Sequence, residues 1–180
     1  MAGSPGRSRP WDTIRAMSRP LQIAVIGAAQ CDPSLEARAQ EVGRRLAEGG
    51  AVVLCGGRGG VMAAAAAGAR EAGGTVIGVL PGADAEASPP NPHVTHTLFT
   101  GLGQARNQVL VLSAAAVVAV GGSWGTLNEI ATALKHRRPV IALDSWQLTR
   151  PDGRPEPLLS YASTAEEAAK RALEAARSPT

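Results

Sequence analysis

Apolar residues along the chain gather into short unbroken runs, and the stretches between them carry helical spacing. The first run, Leu21–Ile26 (LQIAVI), predicts a strand ending at Gly27. Asp32 and Pro33 then read as an N-cap followed by a first-turn proline. Leu35, Ala39, Val42 and Leu46 recur at i, i+4, i+7 and i+11, one core-facing helix stripe, which Gly49-Gly50 stops. Ala51–Cys55 predicts a second strand, and after GGRGGVM an alanine-rich helix runs to Gly73-Gly74. Thr75–Leu80 predicts a third strand, residues 81–93 a proline-rich loop, and Val94–Phe99 a short strand. A helix over about 103–113 leads to a strand at Ala116–Val120, then a glycine corner, another helix and the run Pro139–Leu143. A polar loop containing Pro151, Pro155 and Pro157 precedes LLSYA and a last helix begun by Ser163 or Thr164.

Strands that are apolar throughout, rather than alternating with polar residues, are expected where helices cover both sheet faces. Their alternation with helices predicts an α/β fold, a single-domain, doubly wound parallel sheet of Rossmann-like form with helices on both faces. In that architecture ligands sit beyond the carboxyl ends of the strands, where loops turn into helices. A length of 180 residues with 44% hydrophobic content suits one such core.

Charge narrows the picture. The net charge of +3 resides wholly in residues 1–19, where Arg7, Arg9, Arg15 and Arg19 face only Asp12. That segment is rich in Pro, Gly, Ser and Arg and lacks an apolar run, which predicts a disordered basic arm ahead of one domain at 20–180. The domain is charge-balanced and the chain has five aromatic residues, so a nucleic-acid partner is not expected. No stretch has the apolar length of a membrane span or a signal peptide, and Cys31 and Cys55 form no CxxC, so a cytoplasmic location is expected.

Two corners are rich in glycine: Gly56, Gly57, Gly59 and Gly60 after the second strand, and Gly121, Gly122 and Gly125 after Ala116–Val120. Gly27 ends the first strand on the same edge. Glycine lets backbone N–H groups converge on a ligand, and each corner runs directly into a helix whose dipole favours an anion. A phosphate suits such a place, with Ser123 and Thr126 able to add hydroxyl donors. Neither corner is a P-loop, and GAAQCD after the first strand does not fit the dinucleotide fingerprint. Arg58 projects from the first corner toward an acidic ligand or solvent, and Trp124 and Trp146 follow strand ends, where a ring could cover a base or pterin or simply pack. His93 and His96 have no matched third ligand, so no metal site is expected.

Spacing leaves two roles open for Glu129. Thr126–Glu129 fits the T-x-x-E of a capping box. Alternatively, if Leu127, Ile130, Ala131 and Leu134 form the buried stripe, Glu129 points away from the core at the mouth of the ligand site.

The segments GGRGGVMAAAAAGAREAGGTVIGVLPG, ARNQVLV and VGGSWGTLNEIATALKHRRPVIAL resemble the Lonely Guy (LOG) phosphoribohydrolases and the wider SLOG superfamily, which includes molybdenum-cofactor carrier proteins. The resemblance spans roughly residues 21–143. It implies that Gly122, Gly125 and Thr126 match the LOG phosphate loop, Glu129 the catalytic glutamate and Arg106 the arginine of the preceding helix. It also implies a homodimer or larger homo-oligomer. The LOG loop's proline is Gly121 here and its second glycine Ser123; the residue after the arginine is Asn107, and the serine pair after the first strand is Ala28-Ala29. These differences are more similar to the branch near the molybdenum-cofactor carriers.

Two functions follow as expectations. One is hydrolysis of a nucleoside 5′-monophosphate to base and ribose 5-phosphate, with no cofactor required: Glu129 would stabilise oxocarbenium charge and Arg106 would position the phosphate or polarise the base. The other is a carrier that holds molybdenum cofactor or a related phosphorylated pterin without turning it over. The label lysine decarboxylase, common among such chains, is not supported: a pyridoxal phosphate enzyme needs a lysine in its pocket, and the chain has only Lys135 and Lys170, both on outward helix faces.

Overall fold

The computed structural model describes residues 20–178, so the basic arm at 1–19 lies outside the described residues. Seven strands form one sheet: β1 (Gln22–Gly27), β2 (Val52–Cys55), β3 (Val76–Leu80), β4 (His96–Phe99), β5 (Ala116–Val120), β6 (Val140–Leu143) and β7 (Leu159–Ala162). Their order is β4-β3-β2-β1-β5-β6-β7, and every pairing is parallel. The chain winds outward from β1 to β4, then crosses back to lay β5 beside β1 and winds the other way. Ile23 pairs with Ala116 and Gly27 with Val120, so the loops leaving β1 and β5 part at one point of the sheet edge.

The unbroken apolar runs have the predicted cause. Ile23, Val25, Val53, Cys55, Val118 and Val120 face one core layer, with α1 (Pro33–Glu48), α2 (Val61–Glu71) and α5 (Ala165–Arg177). Ala24, Ile26, Leu54, Val117 and Ala119 face the other, with α3 (Arg106–Leu112) and α4 (Trp124–Lys135). The helix predicted over 103–113 divides into a 3₁₀ turn at Gly103–Ala105 and then α3, which makes Arg106 the first residue of the α-helix.

Local signals act where the sequence places them. Asp32 caps α1 by accepting a hydrogen bond from the Leu35 N–H at 2.8 Å, and Pro33 occupies the first turn. Thr164, one of the two candidates, caps α5 by accepting from the Glu167 N–H at 3.1 Å. Small residues on both helices let α2 lie directly on α1: a Cβ on Gly43 would stand 1.9 Å from the Ala65 carbonyl oxygen, and one on Gly68 1.9 Å from that of Gln40. Among the described residues, no helix is long and apolar enough to cross a membrane.

Candidate functional site

At the switch point a cleft of about 330 Å³ opens between the ends of β1 and β5. Gly27 and Ala29 contribute from the β1 loop, Arg58 and Met62 from the β2–α2 connection, and Pro81 from the end of β3. Gly103, Gln104, Arg106 and Asn107 come from the start of α3, and Ser123, Gly125, Thr126 and Glu129 from the first turns of α4. Seven of the residues singled out from sequence therefore share one cleft: Gly27, Arg58, Arg106, Ser123, Gly125, Thr126 and Glu129.

The others stand behind or beside it. Gly56 backs Arg106, and a Cβ there would lie 2.4 Å from the Arg106 Nη1. Gly57 packs against Leu80 and Gly78, and Gly60 caps α2 with its φ of 62° against the Ala28 and Ala29 carbonyls. Gly59 meets nothing closer than the Ala29 oxygen at 3.5 Å. Gly121 and Gly122 line a separate cavity. Trp124 is 77% exposed and lies against Trp146, ring centroids 5.2 Å apart, outside the cleft lining.

Glu129 departs from the capping reading and from the predicted helix stripe, yet it keeps the place at the cleft that the second reading gave it. The cap of α4 is Ser123, whose own N–H donates to Thr126 Oγ1 at 3.2 Å, so the capping pair sits one turn before Glu129. The buried residues of the helix are Thr126, Glu129, Ile130 and Ala133, whereas Ala131 is exposed. Alanines at both 131 and 133 made the stripe ambiguous by spacing, and the sheet chose the second. Glu129 is thus only 7% exposed, on the inward side of α4, with its carboxylate on the cleft wall.

Burial sets the electrostatics. It pushes the Glu129 carboxyl up to about 7, an effect that the nearby Arg106 charge partly offsets. It pulls Arg106 below its usual value, opposed by Glu129 and Cys55 and reinforced by Arg58. The guanidinium stays charged at any ordinary pH. Arg106 Nε and Nη1 are nevertheless buried with no hydrogen-bond partner among the described residues. Leaving such donors unpaired costs about 1–3 kcal/mol, more for a charged group, and Nη1 is enclosed on the Gly56 side. The first N–H groups of α4, the Ser123 and Thr126 hydroxyls and the exposed Arg58 complete a surface suited to a phosphate.

Asn91 and Gln104 escaped sequence reading, and Asn107 was noted only as a difference from the LOG pattern. Asn91, in the proline-rich loop, donates its side-chain amide to the Arg58 carbonyl at 3.0 Å and its backbone N–H to that of Gly57 at 2.9 Å, which pins the corner carrying Arg58. Gln104 and Asn107 line the cleft beside Arg106, and closeness to it in the chain is the one signal that could have marked Gln104. Lys135 and Lys170 are exposed and line no part of the cleft, in keeping with the argument against a pyridoxal Schiff base. Cys55 is a fully buried core residue, and burial pushes its thiol up to about 11.

Fold and cleft define a doubly wound α/β protein with a cationic, hydroxyl-bearing recess at its topological switch point. The chain belongs to the SLOG cluster4 family, whose model matches residues 20–173. An uncharacterized protein of Archaeoglobus fulgidus is 42% identical over 123 residues, covering 68% of this chain and 80% of that protein. Among solved structures, the molybdenum cofactor binding protein of the phototrophic bacterium Rippkaea orientalis is 36% identical with a TM-score of 0.76, over 85% of this chain and 95% of that one. The molybdenum cofactor carrier protein of Chlamydomonas reinhardtii is 35% identical with a TM-score of 0.73, over 87% and 99%.

Proposed function

We propose that the protein is a carrier that binds a phosphorylated pterin of the molybdenum-cofactor type, with the phosphate at the α4 N-terminus and against Arg106. The observation that carries this reading is the convergence on one cleft of the Arg106 and Arg58 guanidinium groups with the Ser123 and Thr126 hydroxyls at the start of α4. Similarity to two proteins described as binding or carrying molybdenum cofactor supports pterin as the body of the ligand. The residues present fit the phosphate end: Arg58 and Arg106 supply charge, Ser123 and Thr126 supply hydroxyls, and the α4 amides supply directed donors. The test is mass spectrometry of ligand released from protein purified out of a host that makes the cofactor. A bound pterin that is lost in Arg106→Ala supports the reading, whereas wild-type protein free of pterin contradicts it.

A second reading, LOG-like cleavage of a nucleoside 5′-monophosphate, draws on one specific observation: Glu129 lines the same cleft as Arg106 and titrates near neutrality. A carboxyl of that kind can stabilise developing positive charge on a ribose when ionised, or hand over a proton when not. Incubation with a panel of nucleoside monophosphates, followed by chromatography of free base, distinguishes the two functions. Base release abolished in Glu129→Gln favours hydrolysis, and no release from any substrate favours the carrier.

A further inference from the structure

A second cavity, of about 360 Å³, lies on the other side of the corner that begins α4. Its wall is formed by Gly121 and Gly122 and by Asp144, Ser145, Trp146 and Gln147, the four residues that follow β6. Gly122 lines this cavity while its neighbour Ser123 lines the first, and consecutive Cα atoms are about 3.8 Å apart. One thickness of backbone therefore separates the two spaces.

The second wall is built with care. Asp144 takes a φ of 50°, a conformation more often left to glycine or asparagine, directly after the last residue of β6. Its carboxylate is 48% exposed and pairs through one oxygen with Arg38 Nη1 at 2.8 Å. The Trp146 Nε1 donates to the Ser123 carbonyl at 3.1 Å, which fixes the indole, and Trp124 packs against it from outside. Gly122 lets this indole approach: a Cβ there would stand 3.1 Å from Nε1, and its φ of 151° already disfavours any other residue. Ser145 Oγ is buried and has no hydrogen-bond partner among the described residues.

The chemistry of this wall selects its guest. A carboxylate repels a second phosphate, and its pairing with Arg38 leaves little net charge to draw a cation. An acceptor carboxylate, a hydroxyl, an amide able both to donate and to accept, and a fixed aromatic ring suit a neutral planar heterocycle with adjacent N–H donors and a carbonyl. We propose that this cavity receives a 2-amino-4-oxopyrimidine ring, with its amino and ring N–H groups toward Asp144, its carbonyl toward Gln147 or Ser145, and one edge against Trp146. The inference rests on the carrier reading for the phosphate end and names the subsite for the ring. The same ring edge occurs in a pterin and in guanine, so either could be the source.

Tryptophan fluorescence titrations with phosphate-free probes test the ring subsite apart from the phosphate site. Neopterin is expected to quench emission, and Asp144→Asn and Gln147→Ala are each expected to weaken it at least tenfold. Inorganic phosphate, measured by calorimetry, should bind both variants as it binds the wild type. Guanosine binding in place of neopterin, with the same loss in the variants, would support the same edge recognition and name a nucleotide as the source. Adenosine, which lacks the 2-amino-4-oxo edge, should not bind. Adenosine binding as tightly as neopterin, or neopterin affinity unchanged in both variants, would overturn the proposal while leaving the phosphate site intact. Absence of phosphate binding in the wild type would instead remove the reading beneath it.

Discussion

The two glycine corners look alike in sequence and are used differently. In the corner at 56–60 the glycines mostly yield space to protein: Gly56 to the Arg106 side chain, Gly60 to the Ala28 and Ala29 carbonyls. Only Arg58 from that corner reaches the cleft wall. In the corner at 121–125 Gly121 and Gly122 also give room to Leu35 and to Trp146, but here the chain is in addition the wall of both spaces, with Ser123 and Gly125 toward one cavity and Gly121 and Gly122 toward the other. A run of glycines thus marks a place where backbone comes close to something. What it comes close to, a ligand or another part of the protein, is decided by the element opposite.

The largest expected effect concerns Glu129, which the second corner's helix holds inward. Its folded value of about 7 lies above the ordinary glutamate value of 4.5, so the folded protein keeps a proton that the unfolded chain has already lost. Stability is therefore fullest below about pH 4.5 and declines as pH rises toward 7. Glu129→Gln removes that decline, and at pH 8 it should be more stable than the wild type by about 3 kcal/mol, with the gap closing at acid pH. Urea unfolding at a series of pH values measures this, and a gap independent of pH would contradict it.

Next come the glycines of the first corner, which should separate by what lies opposite each. Gly60→Ala meets backbone at 2.4 Å and a φ of 62°, and a loss of about 2–3 kcal/mol is expected in thermal or urea melts. Gly56→Ala meets the ends of flexible side chains, Arg106 Nη1 and Met62 Sδ, which can move. Its stability cost should be only about 1 kcal/mol, but displaced Arg106 should weaken phosphate binding about tenfold. Gly59→Ala meets no close atom and should lie within about 0.5 kcal/mol of the wild type with unchanged binding. Equal effects from all three would contradict the rule that the element opposite each glycine decides what it is for.

Much of the fold was readable in the chain because the five strands inside the sheet edges, all but β4 and β7, are buried on both faces and so keep one apolar signature. Caps at Asp32 and Thr164 were readable because their bonds are local, to residues three positions on. The convergence of Gly27, Arg58, Arg106 and the start of α4 was suggested by glycine corners at strand ends on one sheet edge together with the family resemblance. The rotation of α4 was not legible, since alanines flank both candidate stripes and only the tertiary contact with the sheet chooses between them. Nor was the pinning of Arg58 by Asn91, across 33 residues, or the turn at Asp144 that shapes the second cavity. Those features depend on partners distant in the chain, which no local pattern records.

The account stands most directly on Arg106. Isothermal titration of a phosphorylated pterin into the wild type and into Arg106→Ala should show one site per chain, weakened about 30- to 100-fold by the substitution, as expected for losing hydrogen bonds from a charged donor worth about 2–3 kcal/mol. Equal affinity in the two proteins would mean that the buried guanidinium serves no ligand, and the claim that this cleft is a phosphate site would fail.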